Sequence, residues 1–282
     1  MATKALYWEK VEGGVRCKLC PHHCRLKDGQ RGICGVRQCL DGELFSLSDG
    51  YITSWGYDPI EKKPLSHFKK GSVIFSIGSQ GCNFHCDFCQ NHRLLSVDVP
   101  RRPVSDEELV EAASAHGSIG IAYTYNEPLM NYEMVLRLAK KMREAGLINV
   151  VVSNGYIELE PLHELLPYID AWNIDYKFND PIYRSVSGGG EEVVLRTIAE
   201  ANASSYVEVT TLLIPGRNTE QEVFQGMMER LSAIDEEIPL HLSRYYPAYR
   251  CDLPATPLED MFRCYQIAKK YMKTVELGNM PL

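Results

Sequence analysis

Residues 71–91 read GSVIFSIGSQGCNFHCDFCQN, a short apolar run that delivers the chain into a loop of cysteines. Val73–Ile77 carries the β-branched and aromatic residues of a buried strand, and Gly78 punctuates it. The same pattern then recurs. Strands are expected at Ile119–Tyr125, Asn149–Ser153, Ala171–Tyr176, Tyr206–Leu213 and Leu240–Tyr245, with helix-sized segments between them. Ser105–Glu108 has the form of a capping box, as has Thr219–Glu222. Thr256 followed by Pro257 reads as a helix start with proline at the first helical position. Tyr132–Ala145 is a helix that stops at Gly146. Strands alternating with helices pair in parallel through right-handed crossovers, which leaves a doubly wound sheet or a full or partial barrel. Both architectures bind ligands at the carboxyl ends of their strands. Those ends are where the reactive residue types lie: the cysteine loop, then Asn126-Glu127-Pro128, Ser153-Asn154-Gly155, Asp175 with Lys177, and His241 with Arg244.

Upstream of Gly71 the character changes. Residues 1–70 are rich in Cys, Gly and turn signals, and we read them as a small metal-stapled subdomain beside a main domain of residues 71–282. Within it, Glu43–Trp55 is expected to form a hairpin about Asp49-Gly50. Ten cysteines fall in two clusters and an outlying pair: five from Cys17 to Cys39, three from Cys82 to Cys89, and Cys251 and Cys264 apart. The start of the chain shows no signal peptide, so tight clusters point to metal rather than disulfides and to a reducing, cytoplasmic setting. No apolar run is long enough for a membrane span. A net charge of −7 argues against a nucleic-acid surface, which needs clustered Lys and Arg.

Cys82, Cys86 and Cys89 have the spacing C-x3-C-x2-C. Three thiolates hold three irons of a 4Fe–4S cubane and leave the fourth without a protein ligand, whereas a cluster used only for electron transfer normally has four cysteines. An open iron is a coordination site for the amino and carboxylate groups of S-adenosylmethionine (SAM). Reductive cleavage of SAM there gives methionine and a 5′-deoxyadenosyl radical. The same loop also suits zinc, with His85 or His92 as fourth ligand. Phe88, the aromatic before Cys89, fits a SAM loop and equally fits plain packing.

The loop resembles the motif of the radical SAM superfamily, and the rest resembles its branch containing pyruvate formate-lyase activating enzyme. In particular it resembles the AmmeMemoRadiSam-system radical SAM enzymes. The features that carry this run along nearly the whole chain: CKLCPHHC, GICGVR, DPIEKKPLSHF, GCNFHCDFCQN, AYTYNEP, SNGYIE, NIDYKF and HLSRYYP. The resemblance implies an α/β fold, a partial (β/α)6 TIM-like barrel with a Cys-rich N-terminal subdomain.

It also implies a SAM pocket. Asn126 and Glu127 stand where the superfamily has a Gly-Gly-Glu segment that contacts the methionine ammonium. The sequence departs from that segment, so only the Glu127 role carries over with its chemistry. Asn126 also reads as the N-cap of a helix with Pro128 at N1. Asp175 and Lys177 alternate on one strand end and therefore face one side; the branch shows the same pair near SAM, and a rim salt bridge is the plain alternative. His241 matches a ribose-contacting histidine. Ser153 and Asn154 match a ribose-side strand end, although Val152 stands where the branch has Asp.

Cys17, Cys20, Cys24 and Cys34 supply four further thiolates, suited to zinc or to a second iron–sulfur cluster. The function expected is SAM cleavage yielding a radical that abstracts hydrogen from a substrate, either a protein or a small molecule, with a flavodoxin-like or ferredoxin-like one-electron reductant. Two alternatives remain at this point. One is an activase of a glycyl radical enzyme; the other is a non-catalytic iron–sulfur or zinc module for binding or electron transfer.

Overall fold

The computed structural model describes residues 2–96 and 98–281. Its centre is an eight-stranded sheet. Seven strands run parallel in chain order: Val73–Gly78, Ser118–Thr124, Ile148–Ser153, Ala171–Asp175, Tyr206–Leu213, Leu240–Arg244 and Val275–Gly278. A doubly wound sheet would reverse its strand order part-way. This one does not, so the sheet curls one way with its helices outside, as an open α/β barrel. The six expected strands are present within a residue or so at each end. Val275–Gly278, four residues ending in glycine, carries too little apolar pattern to be seen in sequence.

The eighth strand, Ser54–Pro59, pairs antiparallel with Val73–Gly78 at one edge. It comes from the segment assigned above to the N-terminal subdomain, so the chain enters the barrel sheet before residue 70. Among the described residues it does not pair with Val275–Gly278 at the other edge, and the barrel stays open there. Between the edge strand and Val73 the chain plugs the amino end of the lumen. Ile60 and Leu65 pack on Ile74, Ala122, Val150 and Ala171, all fully buried.

Helix starts follow local chemistry. Ser105 and Glu108 form the capping box expected of them. Tyr132–Glu144 ends in Gly146 at φ 71°, with Gly146 and Leu147 donating back to Arg143 and Met142. The box at Thr219 does not form. That helix starts at Gln221, its N-cap Glu220 makes no side-chain bond, and the Thr219 carbonyl accepts from Arg263. Pro257 is the N-cap of Leu258–Ala268 rather than its first residue, because the Thr256 hydroxyl is taken by Tyr245 N and Leu213 O.

The hairpin expected about Asp49-Gly50 is also corrected. Glu43–Ser46 pairs instead with Arg37–Leu40, across Asp41 and Gly42, both in the left-handed region at φ 50° and 70°. Tyr51–Ile52 pairs with Arg102–Pro103. Asp-Gly occurs at both places, and the shorter loop closes. Trp8–Val11, Gly14–Cys17 and Arg25–Leu26 form a third small sheet.

Candidate functional site

Parity along the strands decides what faces the lumen. Thr124, Val152, Asp175, Leu212 and Ser243 all point inward near the carboxyl ends and line one cavity of about 340 Å³. That is the volume of a small-ligand site. Cys82, Cys86, Cys89 and Phe88 form its wall on the loop side, with Asn126, Glu127, Ser153, Asn154 and Lys177 around them. Ten of the eleven residues singled out from sequence for the cluster and SAM are thus brought to one cavity; His241 is the exception.

The cysteine loop is held from several sides. Asn126 is not a helix cap. Its Oδ1 accepts from Ser79 N at 2.9 Å and its Nδ2 donates to Gly81 O at 2.8 Å, so it ties the loop to the barrel. Gly81 has φ 85°, and a Cβ there would meet Cys34 O at 2.6 Å. Only glycine lets the loop turn so close to the N-terminal subdomain. Asp87 accepts both Arg217 Nη1 and Nη2 at 2.7 Å, a bidentate clamp from the loop's outer side. Cys86 Sγ lies 3.2 Å from Ser187 Oγ, at the end of a wide π-helical turn Tyr183–Ser187. Phe88 is buried edge-on against Phe178.

Glu127 is 2% exposed and caps the turn Pro128–Asn131. Its Oε1 accepts from Ser153 Oγ at 2.8 Å and Leu129 N at 3.1 Å, and its Oε2 accepts from Asn154 N at 2.7 Å. Burial pushes its pKa up to about 7 despite these donors. Both oxygens therefore already serve the Ser153–Asn154 strand end. Asn154 Nδ2 in turn reaches Asn83 Oδ1 at 2.9 Å, inside the cysteine loop.

Lys177 Nζ donates to Asp175 Oδ2 at 2.5 Å, side by side as their alternation requires. Burial would lower the Lys177 pKa, but Asp175 and Cys86 outweigh it and hold the ammonium charged. Burial raises the pKa of all three loop thiols.

His241 faces the lumen one level deeper, two residues before Ser243, and its Nε2 is 2.5 Å from Glu208 Oε2. Glu208 is fully buried and also accepts from the backbone N–H groups of Ser66, His67 and Phe68. His241 thus belongs to the floor that joins barrel and plug, away from the cavity lining.

In the N-terminal subdomain Cys17, Cys20, Cys24 and Cys34 surround one small enclosed void with His22, His23 and Arg37. Cys39 is buried elsewhere. Burial pushes the Cys20 thiol up to about 12 and Cys34 to about 11. As arranged, no three His, Cys, Asp or Glu side chains among the described residues have the geometry of a single-ion site. Binding one ion would therefore require these thiols to lose protons and draw inward. His22 Nε2 lies 2.8 Å from Asn83 O, so this void and the cysteine loop share a wall.

Sequence reasoning missed Lys62, Lys63 and Tyr125, which also line the cavity. Lys62 and Lys63 lie inside DPIEKKPLSHF, and no spacing rule sends a residue from the amino end of a strand into a site at its carboxyl end; Tyr125, inside AYTYNEP, does follow a strand's carboxyl end, but its type gave no sign of a site.

The model of the radical SAM superfamily matches residues 76–227. The chain belongs to the radical SAM superfamily. Its members are enzymes that use a 4Fe–4S cluster and SAM, and this chain is one of them. An uncharacterized protein of Methanocaldococcus jannaschii is 38% identical over 99% of this chain and 85% of its own length. Among solved structures, a domain of pyruvate-formate lyase-activating enzyme from Bacteroides vulgatus superposes with a TM-score of 0.50 at 20% identity, covering 57% of this chain and 99% of that one. Streptococcus suis SuiB bound to S-adenosylmethionine gives 0.56 at 13% identity, covering 71% of this chain and 48% of that one. These two likenesses establish the barrel fold. Among the described residues, no helix is long and apolar enough to cross a membrane.

Proposed function

We propose that this radical SAM enzyme is of the AmmeMemoRadiSam type, with Cys82, Cys86 and Cys89 as ligands of three irons and SAM in the adjoining cavity. The observation that carries this is convergence. Three thiols of one loop, the Asp175–Lys177 pair and the Ser153–Asn154 strand end all open onto a single cavity at the carboxyl ends of parallel strands. The cluster and SAM together supply a 5′-deoxyadenosyl radical that removes hydrogen from a substrate.

This chain's residues hold and shield. Lys177 offers a fixed positive charge beside Cys82 and Cys86, which favours thiolates there. Asp175 retains acceptor capacity for the SAM ammonium, and Lys177 retains donors for a carboxylate. Glu127, through Ser153 and Asn154, fixes the strand end against which the ribose would lie. Phe88 and Phe178 keep water from the loop side. A one-electron reductant of the flavodoxin or ferredoxin kind would serve the cluster.

We also assign Cys17, Cys20, Cys24 and Cys34 to a second metal, zinc or a cluster. Arg37 supports this. It is 1% exposed, it faces the same void, and its Nε and one Nη have no hydrogen-bond partner among the described residues. A buried guanidinium with idle donors is costly unless an anionic group such as a thiolate centre accepts them. On this reading residues 1–70 form the metal-stapled body, lending Ser54–Pro59 to the barrel of residues 71–282.

The test is anaerobic reconstitution followed by SAM and dithionite, with 5′-deoxyadenosine as the product. Cys86→Ala should abolish it while circular dichroism stays that of a folded protein. Product formed by Cys86→Ala at the parent rate sinks the cluster assignment.

A further inference from the structure

The chain as a whole is acidic, at −7, yet three lysines line the cavity at the carboxyl ends of its strands: Lys62, Lys63 and Lys177. Lys177 is matched by Asp175. Lys62 and Lys63 are not matched one to one. Both contact the same carboxylate, Asp58, at 3.2 and 2.8 Å. That carboxylate also accepts from Tyr125 Oη at 2.8 Å. Both lysines line the cavity, whereas Asp58, their shared counter-charge, is not among the lining residues.

The placement is costly in itself. Lys63 is 2% exposed, and burial lowers its pKa although Asp58 opposes this. Its ammonium sits 4.6 Å from the Tyr125 ring centroid. Tyr125 reaches it only from a left-handed backbone at φ 72°, strained for a tyrosine, and only because residue 78 is glycine: a Cβ there would meet the ring at 2.9 Å. A buried ion pair adds little stability over apolar packing, and this one adds backbone strain. A ligand contact gives both a reason.

The location also points away from SAM. Lys62 and Lys63 follow Pro59, which pairs with Val73 at the amino end of the strand whose carboxyl end feeds the cysteine loop. They reach the cavity from the segment after the edge strand, beside the open edge of the barrel, where Ser243 and Asn279 also line it. A sulfonium would be repelled there; an anion would not.

We propose that Lys62 and Lys63 form the subsite for an anionic group of the substrate, a carboxylate or a phosphate, held beside the open edge of the barrel. This rests on the radical SAM reading of the same cavity and adds the substrate's charge class to it. Asp58 acts as a positioning residue that presents the two ammonium groups and competes with the ligand for them.

The competition gives opposite signs to two variants. In SAM-loaded, reconstituted protein, inorganic phosphate and succinate are titrated by calorimetry, one arm for each anion chemistry. Lys63→Met should weaken the preferred anion by about tenfold or more, the size of one charge-assisted hydrogen bond. Asp58→Asn should tighten it, and Lys62→Met should weaken it by less, since that side chain is mostly exposed. If Lys63→Met does not fold, the Asp58→Asn and Lys62→Met arms still decide. SAM titrations of the same samples separate this inference from the reading beneath it. Loss of SAM affinity in step with anion affinity assigns the lysines to SAM and overturns the subsite. Neither anion binding the parent, or no change in either direction, also overturns it. Formation of 5′-deoxyadenosine by the parent protein tests the radical SAM reading independently.

Discussion

Asp175 and Lys177 show what one residue pair can be asked to do. They are 32% and 14% exposed as side chains, and each neutralises the other. If the pair were only a rim salt bridge, removing it would cost at most about 1 kcal/mol and leave SAM binding alone. If it grips the ammonium and carboxylate of SAM, each contact is charge-assisted and worth roughly 1.5–3 kcal/mol. Asp175→Asn should then weaken SAM binding by about one to two powers of ten while iron content stays that of the parent. SAM titration followed by the cluster's electron paramagnetic resonance signal reads both. Unchanged affinity with an unchanged SAM-induced shift would remove Asp175 from the pocket. This pair was legible in sequence because alternation on a strand fixes the side a residue faces. Depth along the strand was not legible in the same way. His241 and Ser243 share a face, yet only Ser243 reaches the cavity, because Glu208 on the neighbouring strand holds His241 a level below.

At the scale of elements, the segment that closes the amino end of the barrel depends on one carboxylate. Glu208 accepts from Ser66, His67 and Phe68 N–H groups and from His241, with no exposure to water. Burial alone would raise its pKa. The bonds from His241 and the His67 and Ser66 amides together outweigh burial and hold it below the ordinary 4.5. A carboxylate depressed in the folded state stabilises that state above its unfolded value and ceases to do so as pH falls through the folded value. The plug should therefore keep full protection above about pH 4.5 and loosen below it. Hydrogen-exchange protection factors of the Ser66–Phe68 amides, followed with pH, are the measurement. Glu208→Gln should lower protection already at neutral pH, because the new NH2 group faces donors, and should lose the acid transition. Identical pH profiles for parent and variant would assign the plug's stability to Ile60 and Leu65 instead. Such an element is hard to see in sequence. Residues 60–72 have neither strand nor helix period, and their function in the fold comes from one buried acceptor contributed by a strand more than a hundred residues away. The Asp-Gly pairs at 41–42 and 49–50 pose a related problem: each is a competent turn, and the pairing partner decides between them.

On the scale of the whole molecule, the N-terminal body is bolted to the barrel at points that bear on the cysteine loop. Arg37 donates to Glu133 at 2.6 Å, with both side chains buried. It also donates to Leu6 O, and Glu133 accepts from Leu6 N. Glu158 N donates to Leu19 O at 3.0 Å, and His22 meets Asn83 O. Cys34 O and Val36 press on Gly81. The ring of thiols between these bolts has two short sheets around it and little apolar core of its own, so metal binding there should be folding energy for the entire body. Its loss should be felt twice. Cys20→Ser should lower the thermal midpoint and open residues 1–50 to protease. It should also reduce iron retained at Cys82, Cys86 and Cys89, because the wall behind Gly81 slackens. A structural role confined to the N-terminal body would give the first effect without the second, so iron retention in the soluble fraction of Cys20→Ser decides whether the two sites are coupled. Elemental analysis of the parent protein fixes the metal itself: about one zinc per chain beside about four irons is expected for a tetrahedral thiolate site. About eight irons without zinc would mean a second cluster. In that case the shared wall at Asn83 would become a candidate electron path into the loop, and Cys20→Ser would slow reduction by dithionite as well as loosen the fold.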